Sequence, residues 1–314
     1  MRADLFYKYM TFPKQLISSK QLSFEEIVNF LHKAETMEAS LQKGETIRSM
    51  ENKIMAALFY EPSTRTRLSF ESAFLRLGGN VISVTGTEST SIKKGETIFD
   101  TIKVIENYAD VIVMRHAEAE AIREATEATH KPLINAGNGG EEHPTQALLD
   151  LYTIQKEHGL INGTTIAFVG DLKYGRTVHS LTYLLANFKV KFVFISPEEL
   201  KIPQKLRDFL QEKNLPFEET DKLEANIAKV DVLYVTRVQK ERFDNQEEYE
   251  RLKDKFVVDA KLVKQGKEKL SVLHPLPRIY ELKKDVDDLI QAAYFKQVKN
   301  SIPARMAILD LVMQ

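Results

Sequence analysis

The sequence predicts an α/β protein with two doubly wound domains, each built on a parallel β-sheet. Short apolar runs rich in β-branched residues recur along the chain, and such runs are typical of strands that are buried on both faces. Amphipathic segments with helical spacing separate these runs, which indicates βαβ units. The chain has 314 residues, and a length of about 150 residues per domain makes two domains the expected number.

Eight apolar runs are predicted to be strands, four in each half of the chain. They are 54–60, 81–84, 110–114 and 133–134 in the first half, and 165–169, 190–195, 232–235 and 256–258 in the second. Between them, apolar residues repeat at helical intervals, for example at Phe70, Phe74 and Leu77. The alternation favours right-handed crossovers between parallel strands.

The two domains are expected to join within a helix over 143–158, whose first turn contains Pro144, where a missing N–H group does no harm. The predicted first domain is 1–146 and the second is 147–297. A final helix within 298–314 is long enough to pack back on the first domain. Ligands of open α/β sheets bind beyond the carboxyl ends of the strands, so we expect the active site in the cleft between the domains.

The composition excludes several classes of protein. Lys and Arg number 44 against 45 Asp and Glu, so a net charge of -1 gives no overall attraction to nucleic acid or to an anionic membrane. The absence of cysteine excludes a disulfide framework, a thiolate metal site and a cysteine nucleophile. The chain has no apolar run near the ~18 residues of a membrane span and no secretory signal in Met1–Gln21. We therefore expect a cytoplasmic protein.

The turn after the first predicted strand has the features of a phosphate site. Residues 63–67 read Ser-Thr-Arg-Thr-Arg, and Ser63 is a favoured N-cap for a helix that runs to about Leu77. Three hydroxyl groups then surround the positive end of the helix dipole, and Arg65 adds a planar fork suited to phosphate. Positions 65 and 67 lie ~200° apart around a helix, so we expect one of these two arginines to be structural.

Three further features follow in the first half of the chain. The polar loop 89–97 carries Lys94, and Arg115 emerges at the end of an apolar strand. His143 and Gln146 stand at i and i+3 of a helix start, where an imidazole and an amide share a face and can bond a polar carbonyl compound. The structural alternatives are a solvated surface loop for 89–97, an ion pair for Arg115 and an N-cap role for His143.

In the second half, residues 170–177 approach the P-loop pattern, but Arg176 stands where the P-loop lysine is required. An arginine at a strand-to-helix turn is equally suited to a carboxylate, which disfavours a nucleotide ligand. The strand predicted at 232–235 is followed by the basic and amide side chains of Arg237 and Gln239.

The segment 274–278 reads His-Pro-Leu-Pro-Arg, and its prolines impose an extended path without N–H groups. The carbonyls of Leu276 and Pro277 can therefore accept hydrogen bonds from an NH₂ group. Together, the candidate groups of both halves are cationic or neutral, with no paired carboxylates and no metal-ligand cluster. The sequence predicts a site for two anionic reactants and no metal.

Five motifs, in order and over nearly the whole chain, resemble the aspartate carbamoyltransferase family. They are Ser63–Arg67, His143–Gln146, Gly170–Arg176, Thr236–Arg242 and His274–Arg278. The resemblance implies transfer of the carbamoyl group from carbamoyl phosphate to the amino group of L-aspartate, which gives N-carbamoyl-L-aspartate and phosphate in pyrimidine biosynthesis. It implies no cofactor.

The resemblance also implies roles for individual residues. One set of residues binds carbamoyl phosphate, and its members hold the phosphate, polarise the carbonyl or accept from the NH₂ group. This set is Ser63, Thr64, Arg65, Thr66, Arg115, His143, Gln146, Leu276 and Pro277. The set for aspartate is Lys94, Arg176, Arg237 and Gln239. The residues expected to take part in catalysis are Arg65, Thr66, Lys94, Arg115 and His143.

In the family, a serine and a lysine of the polar loop reach the site of a neighbouring subunit, which implies a homotrimer with Ser91 and Lys94 in this role. The serine departs from the family pattern, because the family spacing counted back from Lys94 reaches Thr90. Ser89 and Thr90 therefore remain alternatives to Ser91. A separate zinc-binding regulatory chain is a further partner that the sequence leaves open.

The nearest alternative is an ornithine or another amino-acid carbamoyltransferase. The ornithine family typically carries a cysteine in the segment that matches 274–277, which is absent here, and Arg237 would repel the ammonium group of ornithine. A P-loop or Rossmann nucleotide protein is disfavoured by Arg176 and by Glu142, which occupies a glycine position of the dinucleotide motif. A non-catalytic anion-binding module is the third alternative.

Overall fold

The computed structural model describes residues 12–87, 91–239, 243 and 245–314. The strands of this part of the chain are β1 (Gln15–Leu16), β2 (Ile54–Phe59), β3 (Asn80–Thr85), β4 (Val111–His116), β5 (Leu133–Asn138), β6 (Thr165–Val169), β7 (Lys191–Ile195), β8 (Phe217–Thr220), β9 (Val232–Val235) and β10 (Ser271–Leu273). The α-helices are α1 (Phe24–Gln42), α2 (Thr64–Arg76), α3 (Ile98–Ile105), α4 (Glu120–Ala128), α5 (Pro144–His158), α6 (Arg176–Leu185), α7 (Gln204–Glu212), α8 (Gln246–Leu252), α9 (Ala260–Val263) and α10 (Tyr294–Val312). No helix among the described residues is both long and apolar enough to cross a membrane.

The chain divides into two compact units. Unit 1 takes the residues up to Tyr152 together with Asn300–Gln314, and unit 2 takes Thr153–Lys299. The chain passes from one unit to the other within α5 and returns within α10.

The sheet of unit 1 has the strand order β1-β5-β4-β2-β3, and all of its strand pairs are parallel. The three central strands consist almost entirely of buried residues, as expected for strands covered on both faces. The outer strand β3 is half-exposed to exposed along its length. The register pairs Phe59 of β2 with Arg115 of β4, so these two strands end side by side.

The sheet of unit 2 has the order β10-β9-β6-β7-β8 and is also parallel throughout. Three phenylalanines from its central strands stack within it. The ring centroids of Phe168 and Phe194 lie 5.6 Å apart, and those of Phe192 and Phe194 lie 5.8 Å apart. Large aromatic side chains bury much apolar area and therefore contribute strongly to a core of this kind.

The predicted fold class, two α/β units with parallel sheets, is confirmed. One predicted strand is wrong: in 256–258, only Val258 makes an isolated bridge, to Leu282. The sheet of unit 2 is completed by β8 and β10, which the sequence analysis missed. Because both are short and β8 carries two glutamates at its centre, neither produces the continuous apolar run of a central strand.

A buried arginine attaches the last helix to unit 1. Arg305 of α10 is 2% exposed, donates to the hydroxyl of Ser69 and places its guanidinium 4.9 Å from the ring centroid of Phe70. Burial lowers the pKa of Arg305 to about 9, and the nearby Asp150 carboxylate opposes that shift. Ser69 lies in the first turns of α2 and donates to the Thr66 carbonyl at 3.0 Å. The last helix therefore supports the beginning of α2.

We predict that Gly170→Ala is much more destabilising than Gly163→Ala. Both glycines have positive φ, +114° and +87°, which alone makes an alanine cost ~1–2 kcal/mol. At Gly170, a Cβ atom would also lie 2.1 Å from the Thr236 carbonyl oxygen, whereas nothing lies within 4 Å at Gly163. We therefore expect a total loss above ~3 kcal/mol for the first variant. The midpoints of urea unfolding measure both losses of stability. Equal losses would contradict the close approach of the segments that follow β6 and β9.

Candidate active site

In unit 1, the candidate residues follow three adjacent strands. β2, β4 and β5 are neighbours in the sheet, and parallel strands have their carboxyl ends at the same edge. The turn after β2 leads into α2, β4 ends with Arg115 and His116, and β5 leads through a glycine-rich turn into α5. The sheet thus brings together three segments that are far apart in the sequence.

The start of α2 presents hydroxyl groups and N–H groups. Ser63 is the N-cap residue, as predicted, but its side chain makes no capping hydrogen bond, so the hydroxyl is not committed to the helix. Thr66 is 5% exposed, whereas Arg65 is exposed. Arg67 lies 3.9 Å from Glu71, one turn further along α2.

Arg115 is held in place by a carboxylate from the turn after β2, the strand that pairs with β4. Its Nη2 atom lies 3.1 Å from Oε1 of Glu61, and the arginine is only 9% exposed. Because an ion pair with little exposure to water is weakly screened, it restricts the guanidinium strongly. Arg115 therefore does form an ion pair, as the structural alternative predicts, and its partner is Glu61.

His143 lies where α5 begins and faces the start of α2. Its carbonyl accepts the N–H of Ala147, which makes it the N-cap residue by backbone geometry, and the side chain is 4% exposed. The Nε2 atom lies 3.4 Å from the hydroxyl of Thr66, and Nδ1 lies 3.4 Å from that of Thr145. Thr66 and His143, 77 residues apart, are thus brought into one buried contact.

A buried carboxylate sets the orientation of the Gln146 amide. The Nε2 group of Gln146 donates to Oδ1 of Asp150 at 2.8 Å, and Asp150 is fully buried. Since a carboxylate accepts and does not donate, it selects the amide nitrogen and leaves Oε1 of Gln146 as an acceptor for another donor. The half-buried glutamine therefore offers an acceptor beside the imidazole of His143.

In unit 2, two adjacent central strands, β6 and β9, end at the candidate residues. The Thr236 N–H donates to the Val169 carbonyl at 2.8 Å, and its hydroxyl donates to the same carbonyl at 3.1 Å. Gly170, which follows β6, allows the close approach of the two chain segments described above. Arg176 begins α6, with Gly175 at the N-cap position.

Asp171 joins the two segments that carry the cations of unit 2. The side chain is fully buried and accepts the N–H of Tyr174 at 2.9 Å and that of Gln239 at 3.4 Å. Burial raises the pKa of Asp171 to about 6, although the hydrogen bonds from the backbone act in the opposite direction. The Nε2 group of Gln239 also donates to the Tyr174 carbonyl, at 2.9 Å. The turn before Arg176 and the segment after Arg237 are thereby tied together.

The remaining residues of unit 2 lie in the turn after β10. Leu276 is half-buried, and Pro277 is exposed. His274 and Glu281, both buried, flank these residues and are joined by a hydrogen bond of 2.8 Å.

The polar loop of unit 1 is at the surface. Ser91 and Lys94 lie in a short 3-10 helix and are exposed. Within the part of the chain that the structure describes, no hydrogen bond or ion pair joins either side chain to the other candidate residues. The alternatives Ser89 and Thr90, and the motif residues 240–242, lie outside the described residues.

Sequence reasoning proposed cationic and hydroxyl groups for the site and did not identify Asp150 and Asp171 as the carboxylates behind them. Glu61, Asp150 and Asp171 are partners of Arg115, Gln146 and the Gln239 backbone. The spacing of Gln146 and Asp150, at i and i+4, was the one local signal that could have revealed such a pair. Among the described residues, no group of three or more His, Asp or Glu side chains could hold a metal ion.

Comparison with known proteins identifies relatives over nearly the whole chain. The family model for the aspartate/ornithine carbamoyltransferase carbamoyl-P binding domain matches residues 14–156, and that for the Asp/Orn binding domain matches residues 162–312. The aspartate carbamoyltransferase catalytic subunit of Methanocaldococcus jannaschii is 52% identical over 302 residues, which cover 96% of this chain and 98% of that protein. The catalytic subunit of Thermococcus kodakarensis is 50% identical over 300 residues, covering 96% and 97%.

Solved structures agree with these relatives. The catalytic subunit of M. jannaschii aspartate transcarbamoylase has a TM-score of 0.88 at 51% identity, covering 96% of this chain and 99% of that one. Aspartate transcarbamoylase from Trypanosoma cruzi, in complex with carbamoyl phosphate and aspartate, has a TM-score of 0.90 at 42% identity, covering 94% and 95%.

We predict that Asp171 makes the protein less stable as the pH rises from 4 to 7. Because the folded state has the higher pKa, about 6 against 3.8, it binds this proton more tightly than the unfolded chain does. The stabilisation by this proton is therefore complete below pH 4 and is lost as the pH rises through 6. It amounts to about 3 kcal/mol.

The measurement is the pH dependence of urea unfolding for the wild type and Asp171→Asn. The free energy of unfolding of the wild type should fall by about 3 kcal/mol relative to the variant between pH 4 and pH 7. Asp208→Asn, which removes an exposed carboxylate of α7, serves as the control. Parallel pH profiles for the wild type and Asp171→Asn would refute the prediction.

Proposed function

Since the chain belongs to the aspartate/ornithine carbamoyltransferase family, we infer that it transfers the carbamoyl group from carbamoyl phosphate to the amino group of L-aspartate. The products are N-carbamoyl-L-aspartate and phosphate. The observation that carries this inference is that each parallel sheet ends in its own set of cationic and polar side chains, in a chain that matches both family domains. Two anionic substrates require two such sets.

The set of unit 1 suits carbamoyl phosphate. The uncommitted hydroxyl of Ser63, the N–H groups at the start of α2 and the exposed Arg65 bind the phosphate. Arg115, Thr66 and His143 hydrogen-bond the carbonyl oxygen, which gains negative charge in the transition state. Oε1 of Gln146, oriented by Asp150, accepts from the carbamoyl NH₂ group. The carbonyls of Leu276 and Pro277, which belong to unit 2, are further acceptors for the same group.

The set of unit 2 suits the two carboxylates of aspartate. Arg176 and Arg237 each supply a planar fork that can bind a carboxylate with two hydrogen bonds. The Gln239 amide is held by the Tyr174 carbonyl and can donate its second hydrogen to the substrate. Asp171 fixes the distance between the segments that carry these groups.

The reaction needs positioning more than an activated protein nucleophile. The neutral amine of aspartate attacks the carbamoyl carbon, a C–N bond forms, and the C–O bond to phosphate breaks. The leaving phosphate takes the proton that the amine loses, which accounts for the lack of a carboxylate base in the ligand-facing set. Positioning two reactants contributes ~7–11 kcal/mol, and each preorganised donor at the oxyanion contributes ~3–4 kcal/mol.

The assembly proposed for this chain is a homotrimer in which Lys94, with Ser91, completes the site of the next subunit. Two features support it: Lys94 is exposed on a short 3-10 helix, and it makes no bond within the described part of its own chain to the candidate residues. A cyclic trimer uses head-to-tail contacts, so each subunit gives one loop and receives one. A regulatory chain that binds zinc remains an additional proposal.

A direct assay separates the two amino-acid acceptors. Radiolabelled carbamoyl phosphate should transfer its label to L-aspartate and not to L-ornithine, because Arg176 and Arg237 attract carboxylates and repel the second ammonium of ornithine. Transfer to ornithine at an equal or higher rate would refute the assignment of substrate. Buffer without an acceptor serves as the control for hydrolysis.

We predict that Arg176→Lys and Arg237→Lys weaken aspartate binding about 10- to 150-fold, because a lysine cannot replace a bidentate fork. The KM for carbamoyl phosphate should change by less than about 3-fold, a difference of under ~1 kcal/mol. Arg207→Lys is a matched control, since Arg207 forms a two-bond pair with Glu219 elsewhere in unit 2. An effect on carbamoyl phosphate alone would show that the division of substrates between the units is wrong.

We predict that hybrid trimers of Lys94→Ala and Arg65→Ala recover activity. Each parent homotrimer should be nearly inactive, because every site lacks one cation. In any hybrid ring, one of the three interfaces pairs an intact Arg65 with an intact Lys94 of the next subunit, so about a third of the sites should work. Dissociating, mixing and reassociating the two variants tests this. Well-mixed hybrids no more active than the parents would mean that Lys94 does not serve a neighbouring site.

A further inference from the structure

The turn after β10 holds a bulky residue in an unusual backbone conformation. Leu276 has φ of 56°, in the left-handed region that side chains other than glycine rarely adopt. Residues in such conformations persist only where the surroundings enforce them, and they concentrate at functional sites. The turn therefore needs a structural element that keeps Leu276 in place.

His274 holds Leu276 from one side of the turn. Its Nδ1 atom accepts the N–H of Leu276 at 2.8 Å, and its Nε2 atom lies 2.8 Å from Oε1 of Glu281. Because Pro275 and Pro277 have no N–H group, Leu276 carries the single backbone donor of 275–277, and the imidazole binds it. The backbone of His274 is itself held, through its N–H, by Gln297 at 3.0 Å.

These contacts select one form of the imidazole. An amide N–H can only donate, so Nδ1 must be without a proton and Nε2 must carry the hydrogen that it donates to Glu281. His274 is 1% exposed, and burial lowers its pKa, which agrees with a neutral ring. The ring can therefore accept at one end and donate at the other.

Glu281 holds the far end of the same turn. Its carboxylate accepts the N–H of Ile279 at 3.1 Å and that of Tyr280 at 3.0 Å, in addition to the imidazole. Burial raises the pKa of Glu281, but the hydrogen bond from His274 and those from the backbone more than compensate and hold it below its usual value. The ionised carboxylate and the imidazole thus bind three of the N–H groups of residues 276–280.

We infer that His274 and Glu281 are positioning residues that give the site its preference for a carbamoyl over an acyl group. The inference rests on the proposed function, in which the carbonyls of Leu276 and Pro277 accept from the carbamoyl NH₂ group. Neither carbonyl accepts a hydrogen bond within the described part of the chain. A methyl group in place of NH₂ cannot donate, so only the carbamoyl compound gains from the position of these carbonyls.

The test compares carbamoyl phosphate with acetyl phosphate, which has the same phosphate and carbonyl groups but a methyl in place of NH₂. His274→Gln keeps a donor near Glu281 but removes the acceptor for the Leu276 N–H. Glu281→Gln places an amide NH₂ group against the N–H groups of Ile279 and Tyr280. The measured quantities are the KM for carbamoyl phosphate and the inhibition constant of acetyl phosphate, with aspartate saturating.

In both variants, the KM for carbamoyl phosphate should rise about 10- to 100-fold, while the inhibition constant of acetyl phosphate should change less than about 3-fold. His274→Asn keeps an oxygen near the position of Nδ1, so it should retain most of the wild-type preference even where His274→Gln loses it. Asp287→Asn is the matched control, because it breaks the ion pair with Arg278 in the same turn without contact to Leu276. It should lower stability and leave the preference unchanged.

Three results would overturn the inference. They are an equal loss of both affinities, an unchanged preference in both His274→Gln and Glu281→Gln, and a loss of preference in His274→Asn as large as in His274→Gln. If His274→Gln and Glu281→Gln do not fold, Glu281→Asp takes their place. It withdraws the carboxylate from His274, Ile279 and Tyr280, so the preference should fall, and an unchanged preference would overturn the inference. A wild type that transfers no carbamoyl group to aspartate would instead refute the proposed function.

Discussion

All strand pairs of the two sheets are parallel, and the positions of the candidate residues that follow the central strands depend on this constraint. Parallel strands place their carboxyl ends at one edge, so the turns after β2, β4 and β5 meet in unit 1, and those after β6 and β9 meet in unit 2. The helix that follows such a strand also points its N-terminus toward this edge, where its N–H groups favour anions. The parallel pairing of the strands thus places the candidate groups of each unit at one edge of its sheet.

Buried carboxylates orient the groups at these edges. Asp150 selects the rotamer of the Gln146 amide, Asp171 holds the backbone before Arg176 and after Arg237, and Glu281 selects the tautomer of His274. A buried carboxylate is costly unless hydrogen bonds satisfy it, so each holds its donors firmly. The candidate groups at these edges are therefore cationic or neutral, while the carboxylates lie behind them.

The arrangement of cations at the edge and carboxylates behind them suits a reaction between two anions. In the proposed mechanism, cations and helix N-termini attract both substrates, and donors fixed in advance stabilise the oxyanion without rearrangement during the reaction. A carboxylate among the ligand-facing groups would repel both substrates, whereas one behind them increases the rigidity of the donors. The buried Arg305 also adds rigidity from behind the edge, because it binds Ser69 from the C-terminal helix and so supports the first turns of α2.

The sequence by itself determined the fold class and most of the strands, because these follow from local patterns such as apolar runs and helical spacing, and motifs such as Ser63–Arg67 indicated the candidate site residues. It failed at 256–258 and missed β1, β8 and β10, whose place in the sheet depends on their neighbours more than on their own residues. Only the tertiary structure decided which groups meet, as Thr66 and His143 do across 77 residues and Asp171 and Gln239 across 68. Contacts over such distances follow from strand order and register, which no local pattern encodes.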